Sequence, residues 1–86
     1  MNREVPDFNA RGFALALERL GFKDVGKGRH QYKFKHRNRL PITPGTRPFI
    51  VFPHDIRRDK NFQKALVRTL IRDWGFTEGE VFKALK

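Results

Sequence analysis

The 86-residue chain has no cysteine and no serine, and it carries no acidic residue between Val25 and His54. Without cysteine, disulfides and cysteine-ligated zinc are excluded, which fits an intracellular protein. Without serine there is no serine nucleophile. Only three histidines are present, and acids are missing near two of them, so no metal site and no cofactor is expected. No Gly-x-x-x-x-Gly-Lys loop occurs, which leaves nucleotide hydrolysis without support. Long apolar runs are also missing, and Met1-Asn2-Arg3-Glu4 is not an apolar signal segment. A cytoplasmic protein with no membrane contact is the expectation.

What the chain does have is cations and aromatic rings. Lys and Arg number 19 against 9 Asp and Glu, a formal charge of +10, and the excess is unevenly placed. The acid-free span holds Lys27, Arg29, Lys33, Lys35, Arg37, Arg39 and Arg47. A second basic group follows in Arg57, Arg58, Lys60, Lys64, Arg68 and Arg72. One-sided charge of this kind is the footprint of a nucleic-acid binder. Nine phenylalanines, Trp74 and Tyr32 give one small domain, residues 1–86, a large apolar payload.

The pattern predicts a helix from about Ala10 to Leu20, with Asn9 as N-cap and Gly21 as stop. Phe13, Ala16, Leu17 and Leu20 form its apolar stripe. Phe22 to Val25 reads as a short strand, turned by Gly26-Lys27-Gly28 into a second strand over His30–His36. Pro41, Pro44, Gly45 and Pro48 make Arg37 to Pro48 a basic loop, and Phe49–Phe52 reads as a third strand closed by Pro53. A long helix from Arg58 or Asp59 to about Asp73 follows, with Phe62, Leu66, Leu70 and Trp74 at i+4 steps. Gly75 ends it. Thr77-Glu78-Gly79-Glu80 is a capping box opening a last helix, with Phe76 and Val81 as its hydrophobic staple. The expected fold is α+β: a three-stranded antiparallel sheet with helices on one face, in the order α-β-β-β-α-α.

In the stretch Gly28-Arg29-His30-Gln31-Tyr32-Lys33-Phe34-Lys35-His36, rings and cations alternate. Period two sets His30, Tyr32, Phe34 and His36 on one face and Gln31, Lys33 and Lys35 on the other. His30 is the candidate general base or acid for metal-free cleavage of RNA, because an imidazole titrates near working pH. Lys27, Arg29, Lys33 and Lys35 are the candidate phosphate holders. Arg57, Arg58, Lys60 and Lys64 are a second candidate grip at the opening of the long helix. His54 and His36 read as structural or supporting, and the Phe62–Trp74 stripe as core.

These residues resemble the HicA-type mRNA interferase toxins, whose fold is like a double-stranded-RNA-binding domain. The likeness is carried by Leu20-Gly21-Phe22, Gly28-Arg29-His30-Gln31-Tyr32, Val51-Phe52-Pro53-His54, and Leu70 to Phe82. Arg29 stands where the family has Ser or Thr, and Gln31 where a second His is frequent. The resemblance implies that His30 is the catalytic histidine of an endoribonuclease acting on mRNA. It also implies a cognate, HicB-like antitoxin protein as partner. The alternative is a non-catalytic RNA-binding module of the same fold.

Overall fold

Asn9 starts the first helix because its side-chain carbonyl accepts the Gly12 N–H at 2.7 Å, one of the donors a helix start leaves unpaired. Helix α1 then runs Ala10–Arg19 and buries Ala10, Phe13, Ala14, Ala16 and Leu17. The computed structural model describes residues 8–26, 31–54 and 60–86. Gly21, at φ 97°, turns the chain out of α1 and into the sheet.

Strands β1 (Phe22–Asp24), β2 (Gln31–His36) and β3 (Ile50–Pro53) form one antiparallel sheet in the order β1-β2-β3. β1 is shorter than its sequence pattern indicated: Val25 and Gly26 both donate N–H to Lys33 O, at 2.9 and 3.2 Å, so the pairing bends away there. Phe22, Phe34, Ile50 and Phe52 point to the helices and are buried. The described helices cover that face alone.

The long helix is two segments. Helix α2 (Lys60–Arg68) continues into a π-helical turn, Thr69–Asp73, where the sequence pattern indicated one uniform helix. The i+4 stripe explains it. Residues four apart advance about 40° around an α-helix, so Trp74 would be rotated roughly 120° from Phe62. A wider turn winds the stripe back toward the core. Leu66, Leu70 and Trp74 are buried, and Phe62 is partly so. Gly75, at φ 79°, stops the segment.

Helix α3 (Glu78–Leu85) begins at the expected capping box. Thr77 Oγ1 accepts the Glu80 N–H at 3.1 Å, and Glu80 Oε1 accepts the Thr77 N–H at 2.9 Å. That backbone hydrogen bond, helped by the Thr77 hydroxyl, holds the Glu80 carboxyl below the ordinary carboxylate range. Both staple residues, Phe76 and Val81, are buried.

The core is an aromatic lattice between sheet and helices. Phe13 meets Phe52 edge-on at 5.0 Å, and Phe22 meets Trp74 edge-on at 4.9 Å. Phe34 stacks over Phe52 at 6.0 Å. Edge-on and offset pairs of this kind add about 0.5–1.5 kcal/mol each beyond their burial.

Candidate nucleic-acid interface

The register decides what the open face of the sheet carries. Lys23 pairs directly with Lys35, and Lys33 pairs with Val51. These residues alternate with Phe22, Phe34 and Phe52, so their side chains leave the sheet on the side without helices. Lys23 and Lys35 are exposed, and Lys33 is half-buried with its ammonium 4.3 Å from the centre of the Phe49 ring. That cation–π contact fixes one charge in place. None of the three makes an ion pair with a described acid. Asp24 turns to the other side and accepts the Gly26 N–H at 3.0 Å.

Two lysines directly opposite each other destabilise a sheet pair by about 0.2–1 kcal/mol. Among the described residues the repulsion has no counter-charge. The face therefore favours whatever brings negative charge between Lys23 and Lys35, with Lys33 next to them.

The candidate cations named from sequence divide three ways. Lys33 and Lys35 come together on the open face, where Lys23 joins them. Lys60 and Lys64 lie on α2, in the helical layer behind the sheet, and Lys64 is exposed there. Lys27, Arg29, Arg57 and Arg58, and the candidate catalyst His30, lie outside the described residues. Lys23 was missed because it precedes the acid-free span; the signal that finds it is the strand register, which places one basic residue of β1 across from one of β2.

The two described histidines have different surroundings. His36 Nε2 is 2.8 Å from Leu20 O, and Nδ1 is 3.2 Å from Asn38 N. A carbonyl only accepts and a backbone N–H only donates, so the ring is the Nε2–H tautomer with both nitrogens engaged. Its ring also meets Phe22 edge-on at 4.9 Å. His36 is thus a pin between the end of α1 and the end of β2. His54 is exposed and sits edge-on to Tyr32 at 4.6 Å, at the end of the sheet where β2 starts and β3 stops.

A hollow of about 530 Å³ lies elsewhere, between the ends of α1 and α3, lined by Arg19, Leu20, Glu80, Lys83, Ala84 and Lys86. It mixes both signs of charge, and the Arg19 guanidinium is already committed to Ala84 O at 2.8 Å. Among the described residues no three His, Asp or Glu gather as metal ligands. No described helix is long and apolar enough to cross a membrane. No family model, curated protein or solved structure matches the chain.

Proposed function

We propose that this protein binds RNA through the open face of its sheet and cleaves it without a metal, as the mRNA-cutting toxin of a toxin–antitoxin pair. The observation that carries the binding is the cross-strand pair Lys23–Lys35, with Lys33 beside it and no described acid to answer the three charges. A polyphosphate chain supplies that answer along its whole length. The face offers few groups to read bases: its cations are lysines, point charges that hold phosphates, and Phe49 is capped by Lys33. Contacts of this kind position a strand and do not specify its sequence.

The cleavage half of the proposal rests on sequence. His30 follows a glycine turn and immediately precedes β2, the strand that carries Lys33 and Lys35. In the proposed reaction an imidazole takes the proton of a ribose 2′-hydroxyl, that oxygen attacks the adjacent phosphorus, and the 5′-oxygen leaves with a proton. The lysines offset the charge that builds on the phosphoryl oxygens. A cognate antitoxin protein would answer the same cations. The alternative, a binding module without activity, is separated by one experiment. Purified protein is incubated with single-stranded RNA in excess chelator, beside His30→Ala. Cleavage should survive the chelator and fall roughly 10²–10⁴-fold in the variant, with affinity little changed. Binding without cleavage by the parent protein would leave the non-catalytic reading.

A further inference from the structure

The loop between β2 and β3 has an arrangement that RNA binding does not use. Leu40 is 73% exposed and Ile42 is 66% exposed, the two most exposed large apolar side chains among the described residues. They are not on a loose strand of chain. The Arg39 guanidinium donates to Trp74 O at 3.3 Å and lies 4.1 Å from the centre of the Phe76 ring. The Ile42 N–H donates to Asp73 O at 2.7 Å, and the Thr43 hydroxyl donates to Arg72 O at 3.3 Å. Three carbonyls that the helix end leaves without intrahelical partners are thereby satisfied by the loop. Pro41 stiffens the backbone between the two aliphatic residues. The result is a small apolar knob held at a fixed place on the protein.

The loop itself carries charge of one sign, and the two acids next to its anchors each face a cation: Asp73 lies 3.5 Å from Arg72, and Glu80 faces Arg39 of the loop. Arg37 and Arg47 are exposed on the same loop, neither pairs with a described acid, and no acid occurs in sequence from Val25 to His54. We propose that Leu40 and Ile42 form the centre of a docking surface for an acidic protein segment, one that offers an apolar pocket or stripe edged by carboxylates. Charge complementarity selects this occupant. A second copy of the chain would bring the same arginines against each other. A nucleic acid gains little from two aliphatic side chains, since bases stack on flat rings and guanidinium planes. A bilayer anchor would draw on aromatic residues at the interface, and the two phenylalanines that flank the loop in sequence are engaged elsewhere, Phe34 in the core and Phe49 under the Lys33 ammonium. A hydrophobic centre with a charged rim is the common layout of protein–protein contacts.

The inference is independent of RNA cleavage, and its test reads binding alone. The probe is a fluorescein-labelled peptide of about four helical turns, with leucine along one face and glutamate elsewhere. Its controls replace every glutamate by glutamine, or scramble the order. Fluorescence anisotropy should show the acidic amphipathic peptide binding, and both controls binding more weakly. Burial of one Leu or Ile side chain is worth roughly tenfold to a hundredfold in affinity, so Leu40→Ser with Ile42→Ser should abolish measurable binding. Circular dichroism should show that variant folded, because both side chains are exposed. Lys35→Gln, on the other side of the sheet's pleat, should leave peptide affinity unchanged while weakening RNA binding; that separates the two surfaces. The proposal is overturned if the peptide fails to bind at millimolar concentration, or if the serine variant binds it as well as the parent. It is equally overturned if the same two substitutions instead abolish binding to phosphatidylglycerol vesicles, or a self-association seen by sedimentation.

Discussion

Tyr32 and Phe34 leave β2 on one side, Lys33 and Lys35 on the other, and the two sides follow opposite rules. On the helix side each ring is met by others: Phe34 by Phe52 and Tyr32, and Phe52 by Phe13. On the open side lysine faces lysine, and among the described residues only one of the three cations has a ring beneath it. One face is satisfied internally. The other has no described acid to answer its charges. A strand with period-two alternation lets a small domain keep both in the same few residues, since a change on one face need not disturb the other.

The largest effect that tests this division belongs to the helix side. Phe34 is 1% exposed, and its replacement by alanine should cost about 3–5 kcal/mol, enough to unfold much of a domain this small. Lys35→Ala, one residue away, should cost no stability and at most add about 1 kcal/mol, because it ends the repulsion with Lys23. Chemical denaturation of the two variants measures both. Similar losses from the two would mean that the open face also contributes to stability.

Gly21 marks where the faces are joined. An added Cβ would lie 2.8 Å from His36 Nε2, and the residue's φ is 97°. Gly21→Ala should therefore cost about 1–3 kcal/mol. Part of that cost is the collision, and part is backbone strain. In a His36→Ala background the collision is gone, so the alanine should cost less there than in the parent. Equal costs in the two backgrounds would show that the imidazole is not what Gly21 accommodates.

Further along, Thr77→Ala removes an N-cap that bonds its helix in both directions, a loss of about 1 kcal/mol. The same box lowers the Glu80 carboxyl, chiefly through the Thr77 backbone N–H, which alanine keeps, and less through the hydroxyl, which it removes. A carboxyl lowered on folding contributes above its unfolded range, and that contribution is lost as pH falls through the folded value. Stability measured against pH should therefore be flatter at the acid end for Glu80→Gln, which removes the carboxyl, and only slightly flatter for Thr77→Ala than for the parent. An unchanged acid slope would place the pH dependence in other carboxylates.

How much of this was legible from the residues alone follows from how local each signal is. Asn9, Gly21, Gly75 and the Thr77–Glu80 box act within a few residues, and each sits where the pattern put it. The element order and the single covered face also follow from periodicity. Register does not, because it depends on where the turn is centred. A turn confined to Gly26–Gly28 would centre the hairpin at position 27, whereas the pairs Phe22–His36 and Lys23–Lys35 centre it at 29. That shift is what sets one lysine against another. The π turn was likewise hidden, since a strict i+4 stripe reads as an α-helix until its rotation is added up. Gln63, fully buried beside Leu66 and Val67, carries no periodic signal at all. Nor does exposure of Leu40 and Ile42, which depends on loop anchors to residues about thirty positions away.

The smallest expected effect is the most specific to the proposed interface, because its sign differs between two measurements. Lys35→Gln keeps the strand and a side chain of similar reach, but removes one of two ammonium groups that face each other across β1 and β2. In the free protein the repulsion disappears, so stability should rise by about 0.2–1 kcal/mol. With RNA the same change removes a phosphate contact. Affinity should fall, and the slope of log affinity against log salt should become shallower by about 0.7 on single strands, from a parent value of about −2 if Lys23, Lys33 and Lys35 all engage. Lys23→Gln should behave the same way, and the double variant should gain little further stability, since either substitution already ends the repulsion. A residue kept for folding loses stability when replaced; a residue kept for a partner does the reverse. Should Lys35→Gln leave both the salt slope and the stability where they were, the open face would not be the RNA-binding surface.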